Sequence, residues 1–433
     1  MKFKLLPLAA AIATTFVPMS LFAADAAEVK AVNPELTQPA DPLYDRQQPL
    51  VLAEGMPIPD TGLKFTGYAR YGFHYSDDVN KYVGAMGQSA GNATGRLGNE
   101  GNGGEFQFTK AFIADNGAIW DVAVMLEHWS DNVGLKKFYA GATNVFESQP
   151  TAYLWAGRDF HQRPQQGLND YFWMMHDGQG AGVYNLGLGD IKFDISGVAQ
   201  ASSGTGDSGN YAITTKLHGI SVGAAGTLSF LANYGFESDQ YYSEADEDAG
   251  DGIEGELKNA NKSDAFQLAA VLDSSWSMGG TQLILRYAEN ADNGVFWKTE
   301  DLTTWYASFS GNVKSSETFN TEYLVAYHNA DNSADVSQSR SNYSAIVRPM
   351  MTWNAVHSTW LEAGYSLVDY ENAGENSAWK VTLSQNVSFG LAGARPMIRF
   401  YATVGSADNE VASKPYQAEQ DTLALGAMFE SWW

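Results

Sequence analysis

From Leu63 onward, apolar and polar side chains alternate along the chain with a period of two. Large apolar side chains of the first such segment share one parity: Leu63, Phe65, Tyr71, Phe73 and Tyr75. Side chains suited to water share the other: Lys64, Thr66, Tyr68, Arg70 and His74. Successive residues of a strand face opposite sides, so this pattern is typical of a transmembrane β-barrel strand. A sandwich strand with one buried face would look similar, and a single segment does not decide between them.

The same alternation recurs further along the chain. Trp120, Val122, Val124 and Leu126 oppose Asp121, Glu127 and Trp129, and the last residues, from Leu423 to Trp433, alternate in the same way. The connections are of two kinds: short, as at 147–150, and long and polar, as at 237–262. Short turns at one end and long loops at the other are a property of outer-membrane barrels. With ~10 residues per strand, residues 63–433 accommodate roughly 16–18 antiparallel strands around a water-filled lumen.

Both ends of the chain support this interpretation. Lys2 and Lys4 precede an uncharged apolar stretch that ends near Ala23, which predicts a signal peptide at 1–23; a retained anchor is the alternative. Residues 24–62 are Pro-rich and predict a periplasmic extension, or a small partner-binding element. The transmembrane barrel domain is predicted at 63–433. Outer-membrane barrels commonly end on an aromatic residue, and Trp433 fits.

Charge and composition narrow the class of protein. The formal net charge is −24, which argues against nucleic acid and bare anionic lipid as partners. There is no cysteine, so no disulfide supports the fold. The acidic run at 237–256 predicts a solvated extracellular loop; the alternative is that its carboxylates hold Ca²⁺ or bridge lipopolysaccharide through divalent ions. No histidine pair has metal-ligand spacing and no nucleophile elbow occurs, so we predict neither a metal, a cofactor nor catalysis.

Particular segments resemble the maltoporin family of carbohydrate-specific porins, in family order from Leu63 to the end of the chain. They are Phe65–Arg70 (FTGYAR), Arg96–Glu100, Trp155–Arg163, Asp170 with Gly180–Gly182, Val347–Met350 with Trp353, Ala394–Ala402, and Met428–Trp433. The resemblance implies an 18-stranded homotrimeric barrel in the outer membrane, among lipid and lipopolysaccharide. It also implies a third loop that folds inward and narrows the lumen, through which oligosaccharides slide along a line of aromatic rings.

The resemblance assigns sugar-binding roles residue by residue. The aromatic positions are Tyr68, Trp129, Trp353 and Trp432. Tyr68 and Trp432 also have the inward parity of their strands, and Trp129 matches a tryptophan that the family donates to a neighbouring subunit. The polar and constriction positions are Arg70, Arg96, Lys136, Arg163, Asp170 and Phe172.

Two of these positions depart from the family pattern. Lys136 stands where the family has arginine, so the charge remains without the planar fork. Phe172 stands where the family has a constriction tyrosine, so its hydroxyl is absent. We therefore predict a passive, sugar-selective channel whose sugar is maltose, maltodextrins or another oligosaccharide. A general diffusion porin is the first alternative, since lumen charges can simply set ion preference, and a barrel enzyme is a more distant one.

Overall fold

A computed structural model describes residues 46, 49–51, 61–129, 132–201, 209–238, 240–241, 257–258, 264–389 and 395–433. The predicted signal peptide (1–23), most of the predicted extension (24–62) and most of the acidic run (237–256) lie outside the described residues. Among the described residues, no helix has the length and apolar character needed to cross a membrane.

The described residues form 18 strands in one antiparallel sheet, which is closed because β1 pairs with both β2 and β18. The all-β, 18-stranded barrel predicted from the sequence is therefore confirmed. The strands are β1 Leu63–Ser76, β2 Gly103–Ile113, β3 Ile119–His128, β4 Gly134–Thr143, β5 Tyr153–Asp159, β6 Gly178–Leu188, β7 Ile191–Gln200, β8 Asn210–Ser221, β9 Thr227–Glu237, β10 Ala265–Trp276, β11 Gly279–Glu289, β12 Leu302–Ser316, β13 Phe319–Asn332, β14 Arg340–Thr352, β15 His357–Tyr370, β16 Gly374–Ser388, β17 Met397–Asn409 and β18 Glu419–Trp432.

Short elements decorate the connections between these strands. Two-residue strands pair Gln165–Gln166 with Tyr171–Phe172 and Gln240–Tyr241 with Leu257–Lys258, and 3-10 turns occur at Gly223–Ala225, Val336–Gln338 and Pro415–Gln417. Connections after even-numbered strands, such as 114–118 and 189–190, are short, and define the turn end of the barrel. Connections after odd-numbered strands include the long segments 77–102, 160–177 and 238–264, and define the loop end.

The alternation predicted for β1 is observed. Phe65, Tyr71 and Phe73 are exposed on the outer surface, whereas Arg70 is buried inside the barrel. At the end of the chain Trp433 packs against Phe65 on the outside, and its carbonyl accepts a hydrogen bond from Gly67 N at 3.0 Å. The terminal residue thus helps to close the barrel between β18 and β1.

The loop at 77–102 folds into the barrel and fills the side of the lumen that β14–β18 enclose. Leu97 of this loop packs against Trp360 and Met397 on the inner wall. Its backbone is held by wall side chains: Glu362 accepts from Leu97 N at 2.8 Å, and Lys380 Nζ donates to the carbonyls of Gly95 and Leu97. The sequence analysis did not predict this inward position.

The third loop, residues 160–177, also folds inward, as the resemblance implied. Arg286 of β11 donates to the carbonyl of Trp173 and, at 3.3 Å, to the hydroxyl of Tyr171. The loop at 290–301 packs behind it, with Asn293 Nδ2 donating to the carbonyl of Phe172 at 3.0 Å. These contacts fix the third loop against β11 and leave the open part of the lumen on its other side.

Candidate functional site

The open part of the lumen is a cavity of about 1190 Å³ between the third loop and the inner walls of β1–β4, β6–β11 and β18. Of the ten sequence-predicted site residues, nine line it: Tyr68, Trp129, Trp432, Arg70, Arg96, Lys136, Arg163, Asp170 and Phe172. The structure therefore brings together residues that are up to 364 positions apart, Tyr68 and Trp432 being neighbours across the closing seam.

Three aromatic rings form a ladder along the cavity wall. Tyr68 lies between Trp129 and Trp432, with ring centroids 6.2 Å and 6.4 Å from its own. The pairing of β1 with β18 sets Tyr68 directly opposite Trp432, so their inward parity and register create the contact. Gly103 makes room for the third ring, because a Cβ at that position would lie 2.2 Å from Trp129 Cε3.

Trp129 faces the cavity of the chain to which it belongs. Its contact with a neighbouring subunit, implied by the resemblance, stays a prediction. The tryptophan folds over Gly103 into the lumen of its own barrel, with the Arg70 guanidinium 5.2 Å from its ring centroid. The physical reason is local: the connection from β3 to β4 is short, and the glycine beside it leaves a place for the indole ring.

A buried ion-pair network supports the ladder from behind. The hydroxyl of Tyr68 donates to Glu430 Oε1 at 2.8 Å, and the guanidinium of Arg395 lies 4.3 Å from the ring centroid of Trp432. Glu430 also pairs with Arg395 and Arg96, at 2.8 Å and 3.2 Å. The network therefore fixes the orientation of two rings whose other faces are open to the cavity.

Arg96 belongs to this network more than to the cavity surface. Its side chain is buried, and pairs with Glu100 as well as Glu430. Burial opposes ionisation of Glu100, but Arg399 and Arg96 together hold its pKa below the usual range. Arg96 was predicted as part of the polar track; the structure places its guanidinium beneath the ladder, where it positions Glu430.

Arg70 and Asp170 form the first polar pair that faces the cavity. Arg70 donates to Asp170 Oδ2 at 2.9 Å and to the carbonyl of Gly101 at 3.0 Å. Asp170 has a positive φ of 55° and also accepts from Gln165 Nε2 at 2.5 Å. The pair joins the wall of β1 to the tip of the third loop, next to Trp129.

Arg163 forms the second polar element, within the third loop. Its guanidinium is held between the rings of Phe160 and Phe172, 3.9 Å and 4.0 Å from their centroids. Its Nε lies 3.1 Å from Asp177 and its Nη1 lies 3.7 Å from Glu105. Phe172, which lacks the hydroxyl expected from the resemblance, thus serves as a flat surface for the arginine.

Lys136 of β4 completes the set. It pairs with Glu127 at 3.1 Å, and both side chains remain partly exposed. A bulge in the pairing of β3 with β4 lies at this position. Arg70, Arg163 and Lys136 therefore present cationic groups with nearby carboxylates to the cavity, beside the ladder of aromatic rings.

Trp353 is the one predicted residue that the structure does not bring to the cavity. It follows the last residue of β14, in the turn at 353–356, and donates from Nε1 to Thr359 Oγ1 at 2.8 Å on the exposed turn end. Alternation no longer fixes the side-chain direction once a strand has ended. Trp360, which sequence reasoning missed, faces inward instead, and Arg395 lies 5.6 Å from its ring centroid.

Asp177 and His161, near the two ends of the third loop, have shifted pKa values. Burial raises the pKa of Asp177 to about 6, although Arg163 nearby favours its charged form. Burial lowers the pKa of His161 to about 4, so this imidazole is neutral at physiological pH. His161 shares hydrogen bonds with Tyr184 Oη at 2.9 Å and Thr214 Oγ1 at 2.6 Å, which anchor the start of the loop.

The chemistry that the cavity can support is recognition by weak contacts. Aromatic faces bind apolar C–H surfaces, and charged side chains form stronger hydrogen bonds to hydroxyls than neutral ones. In the described part of the chain, no three His, Asp or Glu side chains come together in a way that would hold a metal ion.

Comparisons with known proteins identify a family and several similar solved structures. A model of the LamB porin family matches residues 63–433. Among solved structures, Pseudomonas aeruginosa OpdL is 10% identical with a TM-score of 0.49, and 86% of this chain and 98% of that chain are covered. Pseudomonas aeruginosa OpdQ is 12% identical with a TM-score of 0.48, over 87% and 99% of the two chains. A mutant of the Rh. blastica porin is 11% identical with a TM-score of 0.41, over 85% and 100%.

Proposed function

Because the chain belongs to the LamB porin family and folds as an outer-membrane β-barrel, it forms a passive diffusion channel, and we propose that this channel is selective for sugars. The observation that carries the proposal is the ladder of Trp129, Tyr68 and Trp432 beside three cationic side chains that face one cavity. The proposed substrates are either maltose and maltodextrins, or another oligosaccharide.

The ladder suits the two surfaces of a pyranose ring. The apolar C–H faces can stack on each aromatic ring in turn, at about 1 kcal/mol per ring. The hydroxyl rim can exchange hydrogen bonds with Arg70, Asp170 and Lys136, which flank the ladder. Several weak sites in series allow a sugar to enter without being trapped, which is what a conducting channel requires.

The constriction bears on which sugar is selected. Arg163 between Phe160 and Phe172 presents a flat, mostly apolar surface with a single charged edge. Lys136 presents a compact ammonium group in place of the planar guanidinium of arginine. We infer that the selectivity differs from that of maltoporins with a tyrosine and an arginine at these positions.

We further propose that the chain acts as a homotrimer in the outer membrane, surrounded by lipid and lipopolysaccharide, and that it is not an enzyme. The rows of exposed aromatic and aliphatic side chains on the outer surface are consistent with contact to lipid or to other subunits. No cofactor enters the proposal.

The test is block of ion current by sugars in a planar bilayer. Malto-oligosaccharides, sucrose and β-glucosides are titrated against the purified protein, and at least one series is expected to reduce the current in a saturable manner. Tyr68→Ala should weaken that block about fivefold, since it removes one ring contact of ~1 kcal/mol. Tyr71→Ala, on the outer face of the same strand, is the matched control.

The alternatives give different results. A general diffusion porin would conduct ions with no saturable block by any of the three sugar series. Equal effects of Tyr68→Ala and Tyr71→Ala would contradict the role assigned to the ladder. Hydrolysis of lipid or peptide substrates by the purified protein, lost on mutation of a lumen residue, would favour the enzyme reading.

A further inference from the structure

A second site lies on the lumen wall, formed by three tyrosines from β4, β5 and β6. Tyr139, Tyr153 and Tyr184 all face inward and are buried. The guanidinium of Arg46, a residue that precedes the barrel, lies 4.8 Å from the ring centroid of Tyr139 and 5.9 Å from those of Tyr153 and Tyr184. The three rings thus surround a cation that comes from outside the strands.

A buried carboxylate completes the site. Arg46 Nη1 forms an ion pair with Asp159 Oδ2, and the Asp159 side chain is fully buried. The only other cation paired with this carboxylate among the described residues is Lys137, whose Nζ lies 3.5 Å from Oδ1. A desolvated carboxylate needs a close cationic partner, and a planar guanidinium satisfies both the carboxylate and the ring faces.

Backbone contacts hold the neighbouring residues as well. Asn185 Nδ2 donates to the carbonyl of Arg46 at 2.6 Å, and Asn144 Nδ2 donates to the carbonyl of Leu50 at 2.9 Å. Asn144 belongs to the turn that follows β4, so this end of the segment is fastened at the turn end of the barrel. Arg46 also lines the open cavity, together with Tyr184 and the ladder residues.

We propose that Tyr139, Tyr153, Tyr184 and Asp159 form a binding site for a planar cation on the channel wall, and that the protein fills this site with its own Arg46. The site is built entirely from barrel strands, so it would persist when Arg46 is absent. Arg46 acts as a tethered ligand that holds its own side chain against the lumen wall and narrows the channel. The inference requires only that the chain forms a channel, and is independent of sugar selectivity.

The test is single-channel conductance of the full-length protein in KCl. Arg46→Ala should raise the conductance on the order of 1.5-fold, because current through a water-filled pore rises with its open cross-section. Methylguanidinium should then lower the Arg46→Ala current in a saturable manner. It should leave the wild-type current unchanged at the same concentrations, because a tethered ligand has a high effective concentration and resists displacement.

Two further variants separate the cation site from general effects of charge. Lys137→Gln removes a cation beside the same carboxylate but leaves Arg46 in the site, so it should gain no response to methylguanidinium. Arg46→Ala combined with Tyr139→Leu should lose the response, because the closest ring is gone. Heat-modifiable mobility on gels confirms that each variant is a folded barrel.

The inference is overturned if Arg46→Ala conducts like the wild type, or if methylguanidinium affects both proteins equally. Loss of sugar block with these cation effects intact would reject only the proposed sugar selectivity. Retained sugar block with no cation effect would reject only the role of Arg46.

Discussion

The two sides of the lumen use the same residue types for different purposes. On the side enclosed by β14–β18, Arg348 pairs with Glu322 and Glu362 at 3.0 Å and 2.7 Å, and the side chains of Arg348 and Glu362 are 0% exposed. On the open side, Lys136 and Glu127 pair at 3.1 Å with side chains 29% and 23% exposed. An ion pair therefore does not by itself mark a site for a ligand.

The inward loop at 77–102 creates the difference. Glu362 and Lys380 form hydrogen bonds to backbone groups of this loop. These charged side chains therefore hold the loop in place. Among the described residues, no comparable segment covers Arg70, Lys136 and Arg163, which border the open cavity. Charged groups on the open side can exchange bound water for the hydroxyl groups of a sugar at a small cost in free energy. Charged groups on the filled side cannot exchange their partners unless the loop unfolds.

The largest expected effect is a loss of stability when a buried ion pair on the filled side is disrupted. Glu362→Gln would leave the cations of Arg348 and Lys380 buried with fewer carboxylates, at a cost of about 3–5 kcal/mol for a disrupted buried pair. We expect a marked fall in the thermal unfolding midpoint, or loss of the folded form on heat-modifiability gels. Glu127→Gln, on the open side, is the matched control and should fold like the wild type. Equal thermal stability of the two variants would contradict the structural role of the filled side.

The next largest expected effect is a weaker sugar block when a cation on the open side is removed. Arg70→Met keeps the length of the side chain but removes the cation beside Trp129 and Asp170. A hydrogen bond to a charged group is worth about 1.5–3 kcal/mol, so block by the preferred sugar should weaken at least about tenfold. Folding should be unaffected, because water can reach Asp170 in the variant.

Arg340→Met provides the comparison for that variant. Arg340 donates to the carbonyl of Gly87 at 2.8 Å at the loop end and does not line the open cavity. Its replacement should leave the sugar titration unchanged. Similar weakening by both variants would show that the block depends on total charge and not on the position beside the ladder.

Alternation predicted the inward direction of Tyr68 and Trp432, because parity within a strand is a local property, whereas the other residues of the open side were assigned by the resemblance to the maltoporin family. Tyr68 and Trp432 have inward parity, and the closing pair of β1 and β18 brings them together. Trp353 was assigned by the resemblance alone, and it lies just beyond the end of β14, outside the cavity lining. Residues 77–102 and Arg46 were missed because their positions depend on partners far away in the chain, such as Glu362 and Asp159.

The smallest effect concerns pH and the third loop. Burial raises the pKa of Asp177 to about 6. Its carboxylate lies 3.1 Å from Arg163, and Lys136 and Lys137 also act on it electrostatically. As the pH falls from 7 to 5, Asp177 takes up a proton, and Arg163 loses the charge of the nearer of its two carboxylate partners. The ratio of cation to anion permeability should therefore fall, by less than about twofold for one charge in a wide lumen.

Reversal potentials in a KCl gradient measure this ratio. Asp177→Asn removes the same negative charge at every pH, so at pH 7 it should resemble the wild type at pH 5 and lose most of the dependence between these values. Glu105 lies on the barrel wall, 3.7 Å from the same arginine, and the equivalent substitution there provides the comparison for Asp177→Asn. If Asp177→Asn keeps the full wild-type change in permeability ratio between pH 7 and pH 5, the titrating group lies elsewhere in the lumen. The ion pair of Arg163 and Asp177 would then be as fixed as the ion pairs on the filled side.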